Sequence, residues 1–238
     1  MAPSRDAFNW EFALFLAFIA CILFVLLMPS FSHPRSLYEV THSQNNMKQL
    51  GLAFHNYLTT YGVLPPRALR NANGKPLLSW RVAILPYLEQ DSAEAVLYEK
   101  FHLDEPWDSE HNLQLIEKIP AVFQTPNGEL SGNTHYLAAD GQGSLFGGAD
   151  GLGPKDMTDG LSYTVMAVEA DKEVPWTKPE DLNYNPDDPK QSLGKLRKGR
   201  YLVLFADGGV RTLNIDTDES TLRGMMTIDG GEEARPPD

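Results

Sequence analysis

The longest hydrophobic pattern in the sequence is an unbroken apolar run near its amino terminus. Residues 12–28 contain no charged side chain and no amide, and read FALFLAFIACILFVLLM. A helix of this length covers about 25 Å, and the aromatic residues Trp10 and Phe31 at its ends bring it near the ~30 Å hydrocarbon thickness of a bilayer. The pattern predicts a membrane-spanning helix, anchored by Phe12, Phe15, Leu16, Ile19, Leu23 and Leu26.

Two other interpretations of this run stay open. A cleaved secretory signal could end at the small-x-small sequence of residues 30–32. The run is, however, longer than the usual hydrophobic region of a signal, and Arg5 before it is offset by Asp6 and Glu11. A buried helix of a soluble protein is the third interpretation, and an uncleaved span is the one that the length favours.

A second helical pattern follows, with polar and apolar residues on opposite faces. It begins after Pro34 at a capping-box sequence, Ser36 to Glu39. The helical spacing of its apolar positions predicts one stripe that a folded body must cover, formed by Met47, Leu50, Gly51, Phe54, Leu58 and Tyr61. Gly62 and the pair Pro65-Pro66 predict its end.

The remaining sequence alternates short helical patterns with short strands. Helices are predicted after Ser79, where Pro86 should kink or shorten the first of them, and at residues 92–101, 108–119 and 218–226. Strands are predicted at residues 122–124, 135–138, 163–169, 201–206 and 210–213. Asp207-Gly208 predicts a two-residue type I′ hairpin turn. Together the elements predict an α+β fold, with several short helices and an antiparallel sheet on the long helix.

Length, net charge and cysteine content limit the classes of function that this protein can have. The pattern divides the chain into a tail and anchor (1–35), a globular domain (36–233) and a disordered tail (234–238). The net charge of −12 argues against nucleic acid and anionic membrane surfaces as partners. The single cysteine, Cys21, lies inside the apolar run, which excludes a disulfide framework and a thiolate metal site.

Catalytic motifs are missing from the sequence. It contains no G-x-S-x-G, H-E-x-x-H, P-loop or dinucleotide-binding glycine pattern, so we predict no enzymatic activity and no cofactor. The segment from His102 to His111 holds enough carboxylates and imidazoles for a metal-dependent hydrolase, although capping roles explain most of them. Asp140 and Asp150 lie in glycine-rich loops that could bind calcium, but no EF-hand spacing is present.

The tryptophans outside the apolar run suggest a different kind of site. Trp80 and Trp107 are flanked by apolar or proline residues, which predicts burial. Trp176 lies in the proline-bounded sequence VPWTKP, which predicts either an exposed aromatic side chain suited to a sugar or a peptide, or one that clamps its own loop. A binding module that uses Trp176, Asp140 and Asp150 is therefore an alternative function.

Several ordered motifs resemble one bacterial family. They are residues 46–57 (NMKQLGLAFHNY), 79–90 (SWRVAILPYLEQ), 101–108 (FHLDEPWD), 174–179 (VPWTKP) and 205–211 (FADGGVR). This set resembles the prepilin-like proteins of domain of unknown function 1559. The resemblance implies a pilin or type II secretion pseudopilin-like architecture in the cell envelope. It also implies a single pass through the bacterial inner membrane and a globular domain outside the cytoplasm.

The chain departs from that family pattern at three places. Glu11 stands where such proteins have the glutamate that pairs within a filament, but the glycine at which a prepilin peptidase cuts is missing. Thr125-Pro126 replaces a Cys-Pro pair, and Arg197 stands where a histidine precedes the Asp-Gly signature. We therefore expect an anchored, non-catalytic protein that contacts the bilayer and pilin-like or other envelope proteins. Glu11 is the candidate residue of assembly if helices bundle, and it lies at the membrane interface if residues 1–10 stay attached, which the missing glycine favours.

Overall fold

The structure is a computed structural model that describes residues 10–27, 34–88, 93–126, 132–148, 150–190, 193 and 199–230. The chain divides into two compact units, residues 1–38 and 39–238. Three of the features named above lie outside the described residues: the predicted tail at residues 234–238, Arg197 and the sequence at residues 30–32. Within the part of the chain that is described, no helix meets the length and apolarity needed to span a membrane.

Helix α1 comprises Trp10–Leu27 and contains most of the apolar run. Among the predicted anchor residues, Phe15, Leu16 and Ile19 have exposed side chains. The side chains of Phe12, Leu23 and Leu26 lie outside the described residues, although their backbone belongs to the helix. Glu11 is exposed in its first turn.

Helix α2 comprises Pro34–Tyr61 and carries the predicted apolar stripe. It ends as predicted, because Gly62 has φ +75° and its N–H donates to the carbonyl of Leu58 at 2.8 Å. Met47, Leu50 and Phe54 are fully buried, which confirms the prediction that a folded body covers this stripe. The stripe loses its cover near its end, where Leu58 is half-buried and Tyr61 is exposed.

The body contains seven strands and five further α-helices among the described residues. The strands are β1 (Ala68–Arg70), β2 (Pro76–Ser79), β3 (Asn133–Asp140), β4 (Val165–Pro175), β5 (Leu182–Asn183), β6 (Arg200–Phe205) and β7 (Val210–Asn214). The helices are α3 (Trp80–Ala83), α4 (Leu85–Leu88), α5 (Ala93–Tyr98), α6 (Glu110–Leu113) and α7 (Glu219–Met226). The predicted α+β class with several short helices is therefore confirmed.

The main sheet has the strand order β5-β3-β4-β6-β7. The pairs β3–β4, β4–β6 and β6–β7 are antiparallel, as predicted. The two-residue strand β5 is parallel to β3, so the sheet is mixed rather than purely antiparallel. Because β5 lies in the proline-rich segment after β4, its sequence gave no alternating pattern that could predict it.

Both faces of the main sheet are buried. One face packs with the stripe of α2 and with aromatic residues of the short helices, including Phe54, Trp80 and Phe123. The other face packs with Leu222, Met225 and Met226 of α7. Asp218 caps α7 at its N-terminus, where its carboxylate accepts a hydrogen bond from the Thr221 N–H at 2.8 Å. The predicted carboxy-terminal helix thus completes a second core.

The hairpin at Asp207-Gly208 differs from the predicted two-residue turn. The Gly208 N–H donates to the Phe205 carbonyl at 2.9 Å, and the Phe205 N–H donates to the Gly209 carbonyl at 2.9 Å. These bonds enclose three loop residues, 206–208, with Gly208 at φ +81°. This is the pattern of a turn followed by a glycine bulge, and the type I′ prediction was wrong.

Two other local predictions need correction. Residues 122–124 were expected to form a strand, but Ala121–Phe123 form a 3-10 helix that follows Pro120. The helix after Ser79 was expected to be kinked or shortened at Pro86. It is not kinked but shortened, since it divides into the separate single-turn helices α3 and α4. Pro86 occupies the first turn of α4, where its missing N–H costs no hydrogen bond.

Close approach of α2 to the β6–β7 hairpin makes Gly51 sensitive to substitution. A β-carbon at Gly51 would lie 3.1 Å from Leu204 Cδ1 and 3.2 Å from Gly208 Cα. We expect Gly51→Leu to lower the free energy of unfolding by about 1–3 kcal/mol, because the new side chain overpacks this contact. Urea unfolding of the full chain measures the effect. Leu52→Ala, at the neighbouring exposed position, is the control, and equal midpoints for both variants would contradict the prediction.

Candidate functional site

Trp176 is a core residue, and the prediction of an exposed aromatic side chain was wrong. Its side chain is fully buried. The indole ring stacks on Phe123 at 5.7 Å between ring centroids and meets Phe101 edge-on at 5.7 Å. Its Nε1–H donates to the Ile116 carbonyl at 2.9 Å. Trp176 therefore has no face to offer a ligand, and the binding module loses its central residue.

The two aspartates proposed for calcium lie in different surroundings. Asp140, at the end of β3, forms an ion pair with Arg67, and its carbonyl accepts the Tyr184 N–H at 2.9 Å. Asp150 is exposed. The glycine-rich loop beside it packs closely on the segment that follows α2, since a β-carbon at Gly151 would clash with the Leu64 carbonyl oxygen. The glycines of this loop serve packing.

The two histidines of the acidic segment stack on each other. The rings of His102 and His111 are parallel, with centroids 3.5 Å apart. His102 Nδ1 lies 3.0 Å from a Glu105 carboxylate oxygen, and His111 Nε2 donates to the Lys100 carbonyl at 2.7 Å. Two of the four ring nitrogens are thus engaged with protein groups. Among the described residues, no group of three or more histidine, cysteine, aspartate or glutamate side chains could hold a metal ion.

The body contains a fully buried ion pair between Arg81 of α3 and Asp181. Arg81 Nη2 lies 2.6 Å from Asp181 Oδ1, and neither side chain is exposed. Asp181 Oδ1 also accepts the Trp80 Nε1–H at 3.1 Å and the Ala138 N–H at 2.9 Å. The guanidinium donates to the Tyr136 carbonyl from Nε and Nη2, at 3.1 and 2.9 Å. One pair therefore joins α3, β3 and the segment after β4.

Burial sets the electrostatics of this pair. It raises the pKa of Asp181, while Arg81 and the N–H donors act in the opposite direction. Burial likewise lowers the pKa of Arg81, against the attraction of Asp181. The second carboxylate oxygen, Oδ2, is buried and receives no hydrogen bond from any described residue. A closed pair without access to solvent holds the fold together and is not a binding site.

A second polar contact fixes α2 on the sheet. The Ser43 hydroxyl donates to a Glu169 carboxylate oxygen at 2.8 Å, and both residues are buried. Asn46 Nδ2, one turn later on α2, donates to the Gln124 carbonyl at 2.9 Å. These bonds align the helix with β4 and with the segment before β3, and they leave the end of α2 as the more accessible part of the stripe.

The most distinctive accessible surface is a cluster of four tyrosines, Tyr57, Tyr61, Tyr87 and Tyr98, here called the tyrosine surface. Tyr57 and Tyr61 have ring centroids 4.4 Å apart, and Tyr87 meets both rings nearly edge-on, at 5.2 and 6.0 Å. The Tyr87 hydroxyl donates to the Tyr61 hydroxyl at 2.9 Å. Tyr61 is 57% exposed, and the other three are half-buried.

Three phenols of this surface have raised pKa values and stay neutral over the physiological range. Burial raises the pKa of Tyr57, Tyr87 and Tyr98, and the neighbouring Tyr61 phenol adds to each shift. The polar edge of the surface is held in place by Asn56, whose Nδ2 donates to the Tyr87 carbonyl at 3.1 Å. The result is a set of preoriented aromatic rings with hydroxyl groups, an arrangement common in recognition surfaces.

Sequence reasoning missed this surface. The spacing of Tyr57 and Tyr61 at i and i+4 does predict neighbouring rings on α2. The apolar stripe predicted for α2 includes Tyr61, which lies where the core opens to solvent.

A small cavity lies next to α5. It is lined by Ala93, Glu94, Leu97, Lys100, Lys118 and Pro120. Its lining carries one acidic and two basic side chains, so the charges of the cavity favour neither an anionic nor a cationic ligand.

Comparison with known proteins finds a match for one segment of the chain. No curated protein and no solved structure matches it. One segment of the chain, residues 41–143, does match a family model. It contains α2 from Thr41 onward, the buried Arg81, the tyrosine surface and β3. It ends before Trp176 and Asp181, and before the sequence of the expected carboxy-terminal signature. The predicted resemblance is confirmed to this extent: residues 41–143 match the model of a family, SBP_bac_10, described as a protein of unknown function (DUF1559).

Proposed function

We propose that this protein is a membrane-anchored, pseudopilin-like component of the bacterial cell envelope that acts through protein contacts. Helix α1 would hold it in the inner membrane, with residues 39–230 outside the cytoplasm. The observation that carries the proposal is the exposure of large apolar side chains along α1. They are Leu14, Phe15, Leu16, Phe18, Ile19 and Ile22, with exposed fractions between 37% and 64%.

Exposure on this scale favours an apolar environment around the helix. Each such side chain contributes roughly 1.5–3 kcal/mol when it leaves water. A contiguous exposed apolar face on a protein usually marks contact with lipid or with another protein. The described helix of 18 residues covers about 27 Å, and the sequence continues with Met28. Lipid is the environment that suits the uncharged, apolar composition of residues 12–28.

The pseudopilin-like part of the proposal draws support from the arrangement of α2 and the sheet. A long helix whose apolar stripe is covered by an antiparallel ladder is the architecture that the family resemblance implies. In such an assembly Glu11 would pair with an amino group of a neighbouring chain, because an unpaired carboxylate inside an apolar helix bundle costs several kcal/mol. We therefore propose Glu11 as the residue that couples anchoring to assembly.

Fractionation tests the anchor. We expect the wild-type protein to remain in the membrane pellet after washing at high pH, and the double variant Leu16→Arg/Ile19→Arg to be released. Two arginines at the centre of the helix cost about 5–7 kcal/mol on the translocon scale. Leu52→Arg, at an exposed apolar position of α2, is the matched control and should stay in the pellet. A wild-type protein found in the soluble fraction would refute the anchor.

Cross-linking tests the contacts. We expect a membrane-permeant cross-linker to capture the wild-type chain with envelope proteins or with copies of itself, and Glu11→Ala to reduce these adducts at least several-fold. Glu39→Ala, at a half-buried position of α2, provides the control for loss of a carboxylate. Equal adducts from both variants would contradict the role of Glu11.

A further inference from the structure

We infer that strand β7 pairs with the β7 strand of a second copy of this chain, so that two main sheets join into one continuous sheet. The strand order β5-β3-β4-β6-β7 leaves one side of β7 without a neighbouring strand. The inference deepens the proposed function, because it names the partner and the strand of one protein contact. It also rests on that function, since a common membrane would bring copies of the chain together.

The ladder between β6 and β7 shows which backbone groups of β7 face outward. The pairing is antiparallel and has no irregularity in its register. The Phe205 N–H donates to the Gly209 carbonyl at one end, and the Ile215 N–H donates to the Gly199 carbonyl at the other. Because the bonds of such a ladder recur at every second residue, the odd-numbered residues of β7 bond toward β6. The N–H and C=O groups of the even-numbered residues point away from β6, and these residues are Val210, Thr212 and Asn214.

The outward groups of β7 are almost entirely unused among the described residues. The Asn214 carbonyl accepts the Thr217 N–H at 3.0 Å, which is the one backbone hydrogen bond that the described residues make to these groups. The side chains of Thr212 and Asn214 are exposed. Within the described part of the chain, β7 therefore has an open edge that can accept another strand.

The other edge strands of the described body are shorter or already bonded. Strand β1 has three residues, and β5 has two. On β2, the Leu77 carbonyl accepts the Trp107 N–H, and the Ser79 N–H donates to the Thr177 carbonyl, each at 2.9 Å. With five residues, β7 is the longest edge strand of the two described sheets.

Strand β7 also lacks the features that usually prevent edge strands from pairing. It contains no proline, and its ladder with β6 contains no bulge. Its single charged side chain, Arg211, does not project from the edge. The guanidinium carbon lies 4.4 Å from the centroid of the Phe205 ring on β6, and Nη1 donates to the Ser162 carbonyl at 2.7 Å. This side chain therefore turns back over the sheet and leaves the edge free for pairing.

The sequence of β7 fits a second copy of itself. An antiparallel pair with its twofold axis at Thr212 places this residue opposite Thr212 of the second copy. Val210 then lies opposite Asn214 of the second copy, and Arg211 lies opposite Leu213. Threonine pairs are favourable across strands, and no like charges lie directly opposite each other. All the outward residues thus meet outward residues, which is the match that an antiparallel ladder requires.

The charge of the chain does not oppose this contact locally. The net charge of −12 makes copies repel each other at a distance. Residues 208–215, however, contain one arginine and no acidic residue, so the carboxylates lie elsewhere in the sequence. Pairing two copies also satisfies two open edges at once, whereas a strand of another protein would satisfy one. The second copy is therefore the occupant that the symmetry and the charge of β7 favour.

Disulfide cross-linking of the full chain in membranes tests the inference. Cys21 is the single native cysteine and is first replaced by alanine. In this background we introduce Thr212→Cys at the twofold axis. Directly opposite residues of a hydrogen-bonded antiparallel pair have Cα atoms about 5.5 Å apart, which lies within the range of disulfides. We expect oxidation with copper phenanthroline to join two Thr212→Cys chains into a covalent dimer.

Asn214→Cys is the matched control, because it is the next outward residue and is also exposed. In the inferred pair its two copies lie about 14 Å apart along the strands, too far for a disulfide. We expect at least several-fold less dimer from Asn214→Cys than from Thr212→Cys. Equal dimer from both variants would overturn the inference, since random collision does not depend on register. Failure of Thr212→Cys to dimerise, or its capture of a different protein in place of a second copy, would overturn it as well.

A proline at the axis gives a second measurement without a cross-link. Thr212→Pro removes an outward N–H but no hydrogen bond to β6, so the fold should keep its far-UV circular dichroism spectrum. We expect Thr212→Pro to weaken self-association of the purified full chain in detergent several-fold relative to Thr212→Ser, as measured by analytical ultracentrifugation. Equal self-association of the two variants would contradict pairing through this edge.

Failure of the inference can be distinguished from failure of the anchor. The strand pairing is read by cross-linking and by sedimentation of purified protein, whereas the anchor is read by membrane fractionation. A soluble protein that still forms the Thr212→Cys dimer would refute the anchor alone. A pelleted protein whose Thr212→Cys and Asn214→Cys variants cross-link equally would refute the strand pairing alone.

Discussion

Replacing Arg81 with methionine is expected to lower the free energy of unfolding by about 3–5 kcal/mol. The variant leaves the Asp181 carboxylate buried without its cation, and the Tyr136 carbonyl without two of its donors. Methionine fills a similar volume, so the loss reports mainly the uncompensated charge. Urea unfolding of the full chain in micelles, followed by tryptophan fluorescence, measures it.

A partly exposed ion pair of the same composition provides the control. Arg67 and Asp140 are each 25% exposed, so water can solvate the remaining charge when one partner is removed. We expect Arg67→Met to cost about 1 kcal/mol or less. The double variant Arg81→Met/Asp181→Leu should recover only part of the stability lost in Arg81→Met. No buried charge remains, but the Trp80 Nε1–H and the Ala138 N–H lose their acceptor. Equal losses for Arg81→Met and Arg67→Met would show that burial of the pair is not the cause.

Replacing Trp176 with alanine is expected to lower the free energy of unfolding by about 3–5 kcal/mol. The substitution removes the stacking on Phe123 and the edge contact with Phe101, and it leaves a cavity between them. Far-UV circular dichroism against urea measures the effect without relying on tryptophan fluorescence. A smaller loss of about 1–2 kcal/mol is expected for Trp176→Phe, which keeps a ring but leaves the Ile116 carbonyl without its donor.

Trp107 serves as the matched control for Trp176. It is half-buried, and Lys178 lies over its ring at 5.4 Å. We expect Trp107→Ala to cost clearly less than Trp176→Ala. If instead Trp176→Ala were as stable as wild type, the side chain would not be a core residue and its role as a ligand contact would return.

The periodicity of apolar residues correctly predicted the elements that bury one face against the core. The stripe of α2 needed only the 3.6-residue repeat, because Met47, Leu50 and Phe54 all face the sheet. The hairpin of β6 and β7 was visible because two apolar runs flank Asp207-Gly208. Its turn type was not, since one extra loop residue changes the pattern without changing the strands.

Polar and aromatic positions could not be placed from local sequence. Trp176 sits among prolines, which suggests a surface loop, yet the loop folds back onto Phe101 and Phe123, which come much earlier in the chain. Arg81 and Asp181 each look like surface residues, and only the tertiary fold shows that they neutralise each other. The tyrosine surface was missed for the opposite reason. The apolar stripe of α2 predicts burial along its whole length, but the stripe continues beyond the sheet that covers it.

The distance along the chain between α2 and the strands that cover it has a consequence for biosynthesis. Ser43 meets Glu169, and Gly51 meets the loop at Gly208, so part of the cover for α2 is translated long after the helix itself. At about 5–20 residues per second, the ribosome needs roughly ten seconds or more to supply it. Throughout that interval the nascent chain presents Met47, Leu50 and Phe54 to its surroundings, which makes it a natural client for a chaperone. A ribosome stalled before residue 200 would leave the stripe of α2 without this part of its cover, and productive folding has to wait until β6 and β7 have been translated.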